Sequence, residues 1–117
     1  MTRLIIPGTF PDLNEIIAAA KSHFGNYSSM KSDNTETVAW LAKGLPKVKR
    51  AVIVCHWYCR DRRKDPDNIS AGCKFILDGL VKAGVLANDG WRQVAGIEHW
   101  FEVDKKNPRV EIELKPV

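Results

Sequence analysis

The sequence has no apolar run long enough to cross a lipid bilayer. Its longest apolar run covers residues 51–55, whereas a membrane-spanning helix needs about 20 apolar residues. The first residues of the chain also contain neither the apolar core nor the cleavage site of a signal peptide. We therefore expect a cytoplasmic protein that does not associate with a membrane.

Cysteine is also scarce. Cys55, Cys59 and Cys73 are an odd number in a chain without an export signal, which predicts reduced thiols and no disulfide framework. A zinc site at Cys55, His56 and Cys59 is disfavoured, because alternate residues of a strand point to opposite faces. No second cysteine pair completes such a site. We expect these side chains to pack in the core.

The composition is that of one globular domain covering residues 1–117. Apolar residues make up 44% of the chain and charged residues 27%, both ordinary values. There is no internal repeat, low-complexity tract or linker. The net charge is +4 and the isoelectric point is about 9.1. This basic balance favours a polyanionic partner, and nucleic acid is the first candidate.

Apolar periodicity and turn residues divide the chain into four strands and three helices. We predict strands at 4–6, 48–60, 91–104 and 109–114, and helices at 12–23, 32–43 and 68–83. The turn at 105–108 makes the last two strands a predicted hairpin. This order predicts an α+β fold with a mostly antiparallel or mixed four-stranded sheet and three helices packed against it.

Two aspartates flank a proline just before the third predicted helix. Pro66 fixes its own φ and favours an extended conformation for Asp65. Asp67 and Asn68 stand where the helix begins, so one of them can serve as its N-cap. Capping leaves Asp65 unexplained, and the pair is therefore a candidate catalytic site.

The predicted helix supplies a possible partner for this pair. On a helical wheel with about 100° per residue, Lys74 lies on the polar side near Asp67, roughly 10 Å along the axis. Asp78 is about 16 Å from Asp67 at the same rise, too far to share an ion. We expect Asp78 to pair with Lys74 at the i, i+4 spacing instead.

Asp89 is the third carboxylate of interest. It lies in the sequence Asn88-Asp89-Gly90, which is also ordinary turn chemistry. Because the chain reverses after the helix, Asp89 can return toward Asp65 and Asp67. Three carboxylates at one place repel one another unless a cation is present, and Mg²⁺ or Mn²⁺ suits such oxygen ligands.

Basic side chains surround the acidic pair, as expected if phosphates approach a metal ion. For each of them a solvated loop position is the alternative. Trp91 follows the turn and is a candidate for stacking on a base, although we rank packing in the core or a dimer interface above stacking. The candidate DNA-binding residues are Arg60, Arg62, Arg63, Lys64, Trp91 and Arg92.

Taken together, these segments resemble the RusA family of Holliday-junction resolvases from bacteria and phages. The resemblance is carried by DPDNI at 65–69, KFILDGL at 74–80 and NDGW at 88–91, and by IPG at 6–8 with PDLNE at 11–15. It implies a homodimer that binds four-way DNA junctions and makes two symmetric nicks with Mg²⁺ or Mn²⁺. It also implies Asp65, Asp67 and Asp89 as the essential carboxylates and Lys74 as the catalytic lysine.

The sequence departs from the family pattern at two positions. Lys74 follows Asp67 by seven residues instead of four, and Ala71 occupies the usual lysine position. An extra helical turn would keep Lys74 on the same face. Asn88 replaces a second acid that often precedes the last aspartate. A non-catalytic DNA-binding accessory protein and a nuclease for other branched DNA are therefore alternatives to a junction-resolving endonuclease.

Overall fold

The computed structural model describes residues 2–23 and 25–117 and confirms the α+β fold. The four strands are β1 (Thr2–Pro7), β2 (Ala51–Cys59), β3 (Val94–Val103) and β4 (Arg109–Pro116). The helices are α1 (Leu13–Lys21), α2 (Asn26–Ala42), α3 (Pro66–Ser70) and α4 (Cys73–Lys82). Within the described ranges, no helix combines the length and the apolar character that a membrane span requires.

The sheet has the strand order β1-β4-β2-β3. β4 is antiparallel to both β1 and β2, whereas β3 is parallel to β2. The predicted hairpin between the last two strands is therefore wrong. Val110, Ile112 and Leu114 of β4 are all buried, so β4 gains more from a central position than β3, whose side chains are largely exposed.

α2 begins six residues earlier than the predicted start at residue 32. The added residues at the start of the helix are mostly polar and carry no apolar periodicity, so no helical pattern marks them. Gly25 precedes the helix with φ of 94°, a conformation that glycine adopts without steric cost. α1, in contrast, begins as predicted, because Asp12 and Glu15 form a reciprocal capping box.

The core lies between one face of the sheet and the pair α2 and α4. Val38 of α2 and Ile76 and Leu80 of α4 are fully buried against Ile53 and Ile112 of the sheet. Cys55 and Cys73 are also buried, which confirms core packing for these two thiols, whereas Cys59 at the end of β2 is only half-buried.

The close approach of α2 and α4 requires a glycine at position 79. A Cβ added there would overlap the Cβ and Cγ1 atoms of Val38 and would lie 3.1 Å from the backbone nitrogen of Ala39. We expect Gly79→Ala to lower the free energy of unfolding by about 1–3 kcal/mol, because overpacking outweighs the better helix propensity of alanine. Urea denaturation followed by circular dichroism measures this change.

The control for this prediction is a double-mutant cycle with Val38→Ala. Val38→Ala removes the Cγ1 overlap but keeps the Val38 Cβ, so it relieves part of the clash, and the combined variant should lose somewhat less stability than the two single changes together. Equal or greater stability of Gly79→Ala alone would show that the helices separate without cost.

A second prediction concerns His99, which accepts a hydrogen bond from the indole of Trp57. The distance from Trp57 Nε1 to His99 Nδ1 is 2.9 Å, and burial lowers the pKa of His99. The unfolded chain binds this proton near pH 6.5, whereas the folded chain resists it. The contribution of His99 to stability is therefore complete above about pH 6.5 and is lost as the pH falls through the lowered pKa.

His99→Asn keeps an acceptor for Trp57 but cannot titrate. The variant should show a weaker loss of stability on acidification than the wild type in urea denaturation from about pH 7 to pH 5. His23 and His56 are present in both proteins, so the difference reports His99 alone. Identical pH profiles would refute this assignment.

Candidate functional site

Asp65 and Asp67 are exposed at the N-terminal end of α3. Asp65 is extended, with φ of −73° and ψ of 153°, as predicted from Pro66. Its carbonyl oxygen accepts hydrogen bonds from the backbone N–H groups of Asn68, at 3.0 Å, and Ile69, at 3.1 Å. The backbone of Asp65 therefore starts the helix, while its carboxylate does not cap it.

Helix capping does not explain these two carboxylates. Asp65 occupies the N-cap position, yet its side chain makes no capping hydrogen bond. Within the described residues, neither its carboxylate nor that of Asp67 takes part in a hydrogen bond or ion pair. The neighbouring side chain of Asn68 does make such a bond, because its Oδ1 accepts a hydrogen bond from the backbone N–H of Asn14 at 3.1 Å. This bond attaches α3 to the first turn of α1.

The single third helix predicted at 68–83 is wrong, because the chain forms two helices with a break at Ala71 and Gly72. A Cβ at Gly72 would lie 2.9 Å from the Cβ of Phe10 and 3.2 Å from the ring of Trp57. The backbone at Gly72 therefore lies too close to these two aromatic side chains for a larger residue. Ala71 and Gly72 keep right-handed helical dihedrals, and the shared face of Asp67 and Lys74 stays a prediction.

Lys74 pairs with Asp78, as predicted from the i, i+4 spacing. Lys74 Nζ lies 3.2 Å from Asp78 Oδ1, and Lys31 Nζ of α2 lies 3.7 Å from Asp78 Oδ2. The hydrogen bond that Lys74 donates to Asp78 raises the pKa of Lys74, against the effect of burial, and the charges of Asp78, Asp89 and Tyr27 raise it further. Lys74 is therefore held as a cation.

Asp89 lies close enough to Lys74 for its charge to act on the lysine. Its backbone N–H donates to Asn88 Oδ1 at 2.9 Å, so Asn88 supplies the turn chemistry. Its carboxylate has no hydrogen-bond or ion-pair partner within residues 2–23 and 25–117. In that same part of the chain, no three His, Cys, Asp or Glu side chains are grouped so that they could hold a metal ion.

The basic residues before Asp65 divide into two kinds. Lys64 is bound by Asp12, at 3.0 Å, and by Glu15, at 3.3 Å, and the hydrogen bond with Asp12 raises its pKa despite burial. This lysine therefore joins the loop to α1 while about half of its side chain stays exposed, and its contact with DNA stays a prediction. Arg60, Arg62 and Arg63 are exposed, although Arg63 Nε lies 3.6 Å from Asp61 Oδ2.

Trp91 is 96% exposed, so the expectation that it packs in the core of its own chain is wrong. Arg92 beside it is also exposed. Both residues precede β3 and follow Asp89 directly in sequence. An indole and a guanidinium at this position fit the stacking and phosphate contacts expected of a DNA-binding surface.

The sequence pattern missed two side chains near this site. Phe10 comes from the loop after β1, and Arg109 begins β4 with its guanidinium carbon 3.8 Å from the ring centre of Tyr58. Glu111 and Asp104 hold Arg109 at 2.7 and 2.8 Å. No local signal marks either residue, because only the fold brings these segments to the end of β2.

Comparison with known proteins gives no family assignment. No protein-family model matches this chain, and no curated protein matches it. Support for a function therefore comes from the chemistry of the side chains described above and from the resemblance of residues 65–91.

A prediction follows from the ion pair between Lys74 and Asp78. Asp78→Asn removes the charge and weakens the hydrogen bond that raises the pKa of Lys74. We expect this pKa to fall in the variant, measured by NMR titration of the methylated lysine. Asp33→Asn, an exposed change on α2, is the control and should leave the pKa of Lys74 unchanged. An unaltered pKa in Asp78→Asn would contradict the role of this pair.

Proposed function

We propose that this protein is a metal-dependent endonuclease that cuts branched DNA, with the four-way junction as its substrate. The observation that carries the proposal is the state of three carboxylates. Asp65, Asp67 and Asp89 have no protein partner within the described residues, whereas the structural acids Asp12 and Asp104 are held in ion pairs. The three candidate acids, like the exposed Asp33 and Glu102, are therefore open to another ligand.

The donor set fits a hard divalent cation. Carboxylate oxygens are the ligands that Mg²⁺ and Mn²⁺ prefer, and such ions keep several bound water molecules. Asp65 and Asp67 are exposed and have room for a hydrated ion, and Asp89, which is not grouped with them in the described residues, would have to approach them to act as a third ligand. When bound, the ion would supply an activated water molecule and neutralise charge on a phosphodiester.

The chain's own residues would orient the substrate and stabilise charge. Pro66 restricts the backbone of Asp65, and the bond between Asn68 and Asn14 fixes α3. Lys74 is protonated at neutral pH, as an ordinary lysine is, so it can stabilise negative charge in the transition state. Asp78 positions this lysine.

The exposed basic and aromatic residues define the proposed DNA surface. Arg60, Arg62 and Arg63 precede the acidic pair, and Trp91 and Arg92 follow Asp89. Arginine binds phosphate through two parallel hydrogen bonds, which gives direction as well as affinity. Two symmetric nicks require two active sites, so we propose that the protein acts as a homodimer, as the resemblance to RusA implies.

A non-catalytic DNA-binding accessory protein is the second candidate. It is favoured by the finding that no metal-binding group of three side chains is assembled within residues 2–23 and 25–117. Asn88 also stands where the related pattern often has an acid. A nuclease for flaps or other branched DNA would share the proposed site but differ in substrate.

The test is cleavage of a synthetic four-way junction with Mg²⁺ or Mn²⁺. The wild type should give paired nicks, while Asp67→Asn should lose at least about 100-fold in rate, since even the loss of an indirect metal contact costs 10–100-fold. Junction binding, measured by gel shift, should survive. Asp33→Asn matches the chemical change at an exposed position and should cut normally.

Three outcomes separate the candidates. Nicking by Asp67→Asn at the rate of the wild type would refute the assignment of the site. Binding without any product from the wild type would favour the accessory role. Faster cutting of flaps or three-way junctions than of four-way junctions would assign the protein to other branched DNA.

A further inference from the structure

A cleft of about 380 Å³ opens at the end of β2. Its walls come from the loop after β1, the end of β2, the loop that leads to Asp65 and the start of β4. Lys64 and Ile69, which line it, bracket Asp65 and Asp67 in the sequence. We infer that this cleft takes one unpaired nucleotide of the DNA strand, an inference that rests on the proposed function.

The size of the cleft suits a single nucleotide. Pockets for small organic ligands measure about 300–1,000 Å³, and this cleft lies at the lower end of that range. A base pair or a folded peptide needs a wider surface. Bases at a branch point are less well stacked than in a duplex, so turning one out costs less there.

The inner wall of the cleft is aromatic and rigid. Phe10 stacks on Phe75 with ring centres 5.9 Å apart, and it meets the edge of Trp57 at 6.4 Å. Trp57 is in turn fixed by its hydrogen bond to His99. Trp57 is 5% exposed and Phe10 is half-buried, so Phe10 presents the aromatic surface on which a base can stack, and stacking tolerates any base.

The charges around the cleft leave it open to a phosphate. Burial alone would raise the pKa of Asp12, but its hydrogen bonds with Glu15 and Lys64 outweigh burial and lower it. The Asp12 carboxylate is thus neutralised by Lys64. Arg60 has no carboxylate partner within the described ranges, and Arg63 has only a 3.6 Å contact with Asp61. These arginines favour an anion at the rim.

The base and the phosphate subsites lie on the correct sides for this assignment. The aromatic wall is inside and the two arginines are outside, so a nucleotide would enter base first. The strand would then leave the cleft past Lys64, the residue before Asp65. An acidic metabolite would use the arginines without needing the aromatic wall, and this difference is the basis of the test.

Cys59 gives a direct measure of occupancy, because it lines the cleft while Cys55 and Cys73 are buried. A disulfide reagent that releases a coloured thiolate would follow its modification. Burial raises the pKa of Cys59, and the charge of Asp61 raises it further, so the reaction is run at alkaline pH. Cys59→Ser gives the background rate of the buried thiols.

The probes are single-stranded DNA of roughly 12 nucleotides, within the usual site size for such binding, an abasic strand of equal length, and dAMP, all with EDTA. The normal strand should slow modification of Cys59 at least about fivefold at saturation, and the abasic strand should need about tenfold more DNA for the same effect. Arg60→Gln should weaken protection about tenfold. Lys21→Gln, at the far end of α1, should not.

Equal protection by normal and abasic strands, or none by either, would overturn the inference. Protection by dAMP at the concentrations of the strand would overturn the assignment to a DNA strand. Because the assay contains no metal and needs no cleavage, it is independent of the junction test. If the strand protects Cys59 but the protein cuts no DNA, the proposed nuclease function is refuted and the nucleotide cleft is supported. If the protein cuts DNA but the strand does not protect Cys59, the cleft assignment is refuted and the nuclease function is supported.

Discussion

The contact of Phe10 and Trp57 with the backbone at Gly72 is the constraint on which the rest of the site depends. With a Cβ at 2.9 Å from Phe10, no larger residue fits without movement. The contact lies at the break between α3 and α4, next to the short helix that carries Asp67. The same two aromatic rings form the inner wall of the cleft. One packing contact therefore fixes both the carboxylates and their neighbouring pocket.

Local interactions were predictable from the sequence. The capping box at Asp12, the extended Asp65 before Pro66 and the pair of Lys74 with Asp78 each depend on residues within four positions of one another. The break at Gly72 was not predictable, because the side chain packed against it, Phe10, lies more than sixty residues earlier in the sequence. The position of β4 at the centre of the sheet is likewise decided by burial and not by the turn that precedes it.

Charge in this protein is divided between structural and available groups. Lys64 shows why proximity in sequence is a poor guide to function. Although it directly precedes Asp65, its ammonium group is paired with Asp12 and Glu15. The pair of Lys64 with the exposed Glu15 adds little stability, but the buried Asp12 keeps a partner that it needs. The exposed arginines, in contrast, carry no such duty and remain free to meet a phosphate.

The relation between the cleft and the acidic pair gives the proposed enzyme a way to select its substrate. An intact duplex presents no free base, so the aromatic wall would stay empty and the strand would not be drawn past Asp65. A branch point supplies an unstacked nucleotide at lower cost. Structure selectivity would then arise from the energy needed to fill the cleft, without any reading of base identity, and cleavage would be tied to the same short helix that borders it.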